Sequence, residues 1–66
     1  MLIKLNGKET AVETGLTIGG LIKNRKINQG TVAVELNRNI IEPEKWDAVS
    51  IAENDEIEIL TFMGGG

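Results

Sequence analysis

Apolar and polar residues alternate from the first position: Met1, Ile3 and Leu5 interleave with Leu2, Lys4 and Asn6, and after Asn6-Gly7 the alternation resumes through Thr10 and Val12. A period of two predicts strands with one buried face. Asn-Gly suits a two-residue type I′ turn, because both central residues of that turn need positive φ. A hairpin pivoting there sets Leu5 opposite Lys8, Ile3 opposite Thr10 and Met1 opposite Val12. Opposed residues share a face, so the inner side is Met1, Ile3, Leu5, Thr10 and Val12, and Leu2 points outward.

Thr14-Gly15 breaks the second strand, and Thr17 is placed to cap a helix by accepting from the N–H of Gly19 or Gly20. Ile18, Leu21 and Ile22 make one apolar stripe on that helix. Gly19 and Gly20 cost about 1 kcal/mol each relative to alanine in a helix interior, which predicts close approach of the helix to the sheet. Lys23, Arg25 and Lys26 fall in its last turns, where cations suit the negative end of the macrodipole, and Asn28-Gln29-Gly30 closes it.

Residues 31–36 alternate again, with Val32, Val34 and Leu36 on one side. The chain turns at 37–39, and Ile40 and Ile41 form a short strand stopped by Pro43. Trp46 falls in the connection that follows, with Val49 and Ile51 around it, and is expected to lid the core. After Asn54-Asp55 the last strand spans 56–62, with Ile57 and Ile59 on one face and Glu56, Glu58, Leu60 and Phe62 on the other.

One helix with a single apolar stripe must cover the inner face of the sheet, so the order hairpin, helix, strand, short strand, strand defines a two-layer α+β domain. The expected arrangement is the β-grasp of ubiquitin-like proteins: a mixed sheet of four to five strands, first and last paired in the centre, with one main helix on one face. The domain is expected to span residues 1–62, with a flexible tail over 63–66.

Composition narrows the chemistry. The 66 residues contain no cysteine and no histidine, which removes disulfides, thiolate and imidazole catalysis, and Cys/His metal sites. Seven basic residues stand against ten acidic ones, and Trp46 and Phe62 are the aromatics, so both the field and the stacking surface for nucleic acid are missing. The cations Lys23, Arg25 and Lys26 read as a solvated helix face. No apolar run approaches the roughly 18 residues of a membrane span, and the expected location is the cytoplasm. Glu42, Glu44, Asp47, Glu53, Asp55, Glu56 and Glu58 follow no cation-binding or acid–base spacing. The chain is expected not to be an enzyme, to hold no metal and to bind no cofactor.

The remaining chemistry lies at the end, in Gly64, Gly65 and Gly66, read as a true chain terminus rather than a spacer. A C-terminal glycine presents the least hindered α-carboxylate available, and residues 63–66 extended would carry it about 13 Å beyond the strand, into a channel too narrow for side chains. Ordering three glycines costs about 3 to 6 kcal/mol, which the tail itself cannot recover, so the globular part must dock. Leu60, Phe62 and Met63, joined by Leu2 on the outer face, are the expected docking patch.

The acidic β-grasp pattern, segment 37–46, the Asn-Asp-Glu-Ile turn at 54–57 and the Phe-Met-Gly-Gly-Gly end together resemble the ThiS family of sulfur carriers in thiamine biosynthesis. The resemblance implies that the Gly66 carboxylate is adenylated with ATP by a ThiF-type activating enzyme and converted to a thiocarboxylate. It further implies that sulfur comes from a cysteine desulfurase system and passes to a ThiG-type thiazole synthase. Gly65 is the small neighbour that motif expects, and Gly64 adds reach. The small subunit of molybdopterin synthase shares the fold and the Gly-Gly end; the length and the Trp46 segment favour the thiamine carrier. A non-covalent ubiquitin-like interaction module with an idle tail is the reading from another class.

Overall fold

The first hairpin forms around its turn as the pattern predicts. In the computed structural model, which describes residues 1–62, strands β1 (Leu2–Leu5) and β2 (Lys8–Ala11) flank Asn6 and Gly7 at φ of 50° and 82°. Ile3 faces Thr10 and Leu5 faces Lys8. The Met1 nitrogen donates to the Val12 carbonyl at 2.8 Å, and the Met1 carbonyl accepts the reciprocal bond from the Val12 N–H at 2.9 Å.

Helix α1 (Ile18–Asn24) is capped by the Thr17 hydroxyl, which accepts from the Gly20 N–H at 3.0 Å, and it buries Ile18, Leu21 and Ile22. Two expectations about this element are corrected. The helix stops at Asn24, so only Lys23 of the three cations lies in its last turn. Ile27 N–H returns to the Ile22 carbonyl at 3.1 Å and Lys26 N–H to that of Lys23 at 3.0 Å, the bond pair of a Schellman stop, with Lys26 in the left-handed region at φ 56°. Burying Ile27 against the core demands this early reversal. Residues 28–30 accordingly do not close the helix. Asn28 opens a separate 3-10 helix (Gln29–Thr31) by accepting from the Gly30 N–H at 2.9 Å.

The close approach at Gly19 is real, but its neighbour is not the sheet. A Cβ there would collide with the Asp47 carboxylate and lie 3.4 Å from the Asp47 Cα. Asp47 belongs to the 3-10 helix Pro43–Ala48, which lies against α1. That helix also carries Trp46, 2% exposed, whose indole N–H donates to the Ile41 carbonyl at 2.9 Å. Trp46 is the core lid its surroundings predicted.

Strands β3 (Val32–Leu36) and β4 (Asn39–Ile41) form a second tight hairpin through Asn37 and Arg38, at φ of 50° and 74°. Strand β5 (Glu56–Thr61) enters the middle, and the order is β2-β1-β5-β3-β4, with β1 and β5 parallel and the other neighbours antiparallel. This five-stranded mixed sheet under one main helix is the β-grasp arrangement. Ile3, Ile18, Leu21, Ile22, Val34 and Ile57 are fully enclosed between the layers. The entry into β5 is fastened by side chains: Asn37 accepts from the Glu56 N–H at 2.9 Å, and Asp55 accepts from the Asn37 amide at 3.1 Å and from the Ala52 N–H at 2.7 Å.

Candidate functional site

Period two along β5 decides what its exit presents. Ile57 and Ile59 share their face with Leu36 and Val34 of β3 and turn to the core, so Glu56, Glu58, Leu60 and Phe62 face outward. Leu60 stands opposite Ala33 and is 45% exposed. Phe62, 58% exposed, follows one step on, its N–H held by the Thr31 carbonyl at 2.8 Å. Two large apolar side chains therefore stand uncovered where β5 leads into residues 63–66. Met63, Gly64, Gly65 and Gly66 lie outside the described residues.

Leu2 is exposed on the same outer face but does not join the pair. Because β1 runs parallel to β5 with Lys4 beside Glu56, the Leu2 carbonyl accepts from Asn54 N–H at 2.8 Å, before β5 begins. Leu60 is six positions further, about 20 Å along the strand. Leu2 instead borders a shallow depression with Lys4, Glu9 and Glu56. The expectation that it extends the patch fails on strand direction, which the alternation of one strand does not encode.

Ile40, 68% exposed, was not foreseen as part of this face. It stands opposite Glu35, which in turn stands opposite Glu58, so a row of isoleucine and two carboxylates lies one step from the Ala33–Leu60 row. The doubled Ile40-Ile41 carried the signal, since adjacent residues of a strand cannot both face inward. The outer face thus combines an apolar end with acidic flanks, a surface suited to a partner that is apolar at its centre and basic at its rim. A groove of about 370 Å³ between the end of β2 and α1, lined by Val12, Glu13, Leu16 and Arg25 among others, is open to solvent and is lined by no hydroxyl, thiol or lysine amine. Among the described residues no His, Cys, Asp and Glu side chains gather in a group of three fit for a metal ion.

A model of the ThiS family matches residues 2–66. The chain belongs to the ThiS family. It is 37% identical to the sulfur carrier protein ThiS of Bacillus subtilis, with 98% of this chain and all of that protein aligned. A crystal structure of the thiamine biosynthesis protein ThiS from Geobacter metallireducens superposes with a TM-score of 0.86 at 38% identity, over the whole of both chains. The chain is also 38% identical, over its full 66 residues, to a thiazole synthase of Magnetococcus marinus, and spans 20% of that protein's length.

Proposed function

We propose that this chain is a sulfur carrier in the biosynthesis of the thiamine thiazole ring, loaded at the carboxylate of Gly66. The observation that carries the reading is the exposed Leu60 and Phe62 pair on the strand leading into the glycines, in a chain of the ThiS family. A carboxylate is a poor electrophile. In the proposed sequence its oxygen attacks the α-phosphorus of ATP on a ThiF-type enzyme, pyrophosphate leaves, and the acyl adenylate exposes an unhindered carbonyl carbon. The terminal sulfur of a persulfide supplied by a cysteine desulfurase system then displaces AMP, a thiol reductant cleaves the acyl disulfide so formed and leaves as a disulfide with the donor sulfur, and the thiocarboxylate released surrenders its sulfur to a ThiG-type thiazole synthase.

In this sequence the carrier contributes no acid, base or cofactor of its own; ATP belongs to the activating partner. It contributes a docking face and a terminus, and its proposed place of work is the cytoplasm. Among the described residues no helix is long and apolar enough to cross a membrane. The family match supports the thiamine pathway over the molybdopterin one. The Magnetococcus relative, a single thiazole synthase chain that includes a segment like this one, supports thiazole synthase as the acceptor.

Intact-mass measurement after incubation with ATP and a ThiF-type activating enzyme tests the proposal. The expected result is a gain of one adenylate or, with a sulfur source, of the difference between oxygen and sulfur. An unchanged mass, with an enzyme that charges another carrier, overturns it. Deleting Gly66 should abolish charging while the urea unfolding curve stays where it was.

A further inference from the structure

Asn6 does more than turn the first hairpin. The β1–β5 ladder is parallel, with Lys4 N–H bonded to the Asp55 carbonyl at 2.9 Å and Asn6 N–H to the Ile57 carbonyl at 2.8 Å. Had β1 continued, the next rung would join the Ile59 N–H to the carbonyl of residue 6, and the rung after it the Ile59 carbonyl to the N–H of residue 8. The chain instead turns away at Asn6, φ 50°, and into β2. The Asn6 side chain supplies both missing partners: its Oδ1 accepts from Ile59 N–H at 2.7 Å, and its Nδ2 donates to the Ile59 carbonyl at 3.4 Å. A primary amide carries the same donor and acceptor as a peptide unit, so it extends the ladder by one step without any backbone.

Ile59 is also where β5 changes its support. Its even-numbered residues bond to β3, as Phe62 N–H does to the Thr31 carbonyl, whereas Ile59 directs its main-chain groups to the β1 side. Among the described residues, the Asn6 amide is therefore the last clamp on that flank of β5 before Leu60 and Phe62.

We propose that Asn6 is a positioning residue for loading: its amide holds the end of β5 so that the Leu60 and Phe62 pair meets the activating enzyme in one direction. This rests on the carrier reading above. Asparagine satisfies both demands at position 6, tolerating the left-handed backbone while carrying the amide.

The test compares the parent chain with Asn6→Gly, which keeps the turn and removes the amide, and Asn6→Asp, which keeps the Oδ1 acceptor. Amide hydrogen exchange is followed at Ile59, and adenylation by a ThiF-type enzyme is measured at a temperature where circular dichroism shows all three folded. In N6G the Ile59 amide is expected to lose protection and the apparent KM for the carrier to rise about tenfold with kcat little changed, in keeping with the loss of one or two hydrogen bonds from a prearranged strand. N6D is expected to restore most of both. An Ile59 amide as protected in N6G as in the parent overturns the proposal. So does a lowered urea midpoint with an unshifted KM, the mark of a merely structural amide. Failure of the parent itself to gain an adenylate counts against the carrier reading and not against Asn6, whose exchange signature is independent of charging.

Discussion

Lys26 and Arg38 occupy left-handed backbone, at φ 56° and 74°, where a Cβ costs about 1–2 kcal/mol and glycine costs nothing sterically. Glycine also gives the unfolded chain more freedom, which takes back about 0.4–1 kcal/mol of that relief. Lys26→Gly and Arg38→Gly are each expected to raise stability by about 0.5–1 kcal/mol, read as a higher urea midpoint at unchanged slope. Gly19 and Gly20 separate in the opposite sense. Alanine at 19 meets the Asp47 side chain and backbone and should destabilise by about 1–3 kcal/mol, although alanine is the better helix former. Alanine at 20 meets chiefly the far end of the Leu16 side chain and should stay within about 1 kcal/mol of the parent. Thermal melts of the two variants check the contrast. The sequence shows that both glycines are poor helix residues; which of them is pressed against a neighbour depends on a segment more than twenty positions away.

The first hairpin, the turn after β3, the capped start of α1 and the Trp46 lid were readable because each rests on neighbours in the chain. Asn-Gly specifies its own turn, Thr17 finds its partner three residues on, and Pro43 stops β4 by lacking an N–H. The end of α1 was not readable in the same way. Its cations argue for a longer helix, but packing Ile27 against the core, with its N–H turned back to the Ile22 carbonyl, overrides them. Trp46 ties the 3-10 helix Pro43–Ala48 to β4 through one indole hydrogen bond as well as by its bulk. Trp46→Phe removes that donor and part of the volume, and is expected to cost about 2–3 kcal/mol. Circular dichroism in urea measures the loss; in the parent, the single tryptophan's own fluorescence should shift to the red on unfolding.

Across the molecule, the sheet has one face committed to the core and one exposed. Phe62 is exposed enough that Phe62→Ala should leave stability within about 0.5 kcal/mol of the parent. Its affinity for the activating enzyme should nonetheless fall about tenfold or more, the behaviour of an interface anchor, and calorimetric titration distinguishes the two effects. Loss of stability without loss of affinity would place Phe62 in the fold and not in the docking face. The pair Leu60 and Phe62 was legible from the alternation of the last strand, while Leu2 was wrongly grouped with it and Ile40 was overlooked.

Alternation, turn chemistry and capping reach only a few residues along the chain, and through them the amino-acid order alone determined the strands, the faces of every strand but β4, the first hairpin's register and most of the core. The tertiary structure decided what depends on the offset between elements distant in sequence. Gly19 meets Asp47 because the 3-10 helix Pro43–Ala48 lies against α1. Leu2 lies at the far end of β5 from Leu60, and the Asn6 amide reaches Ile59, 53 positions away, because β1 and β5 pair in parallel with Leu5 beside Ile57. Neither strand encodes that offset by itself; it is set when both settle against the same helix.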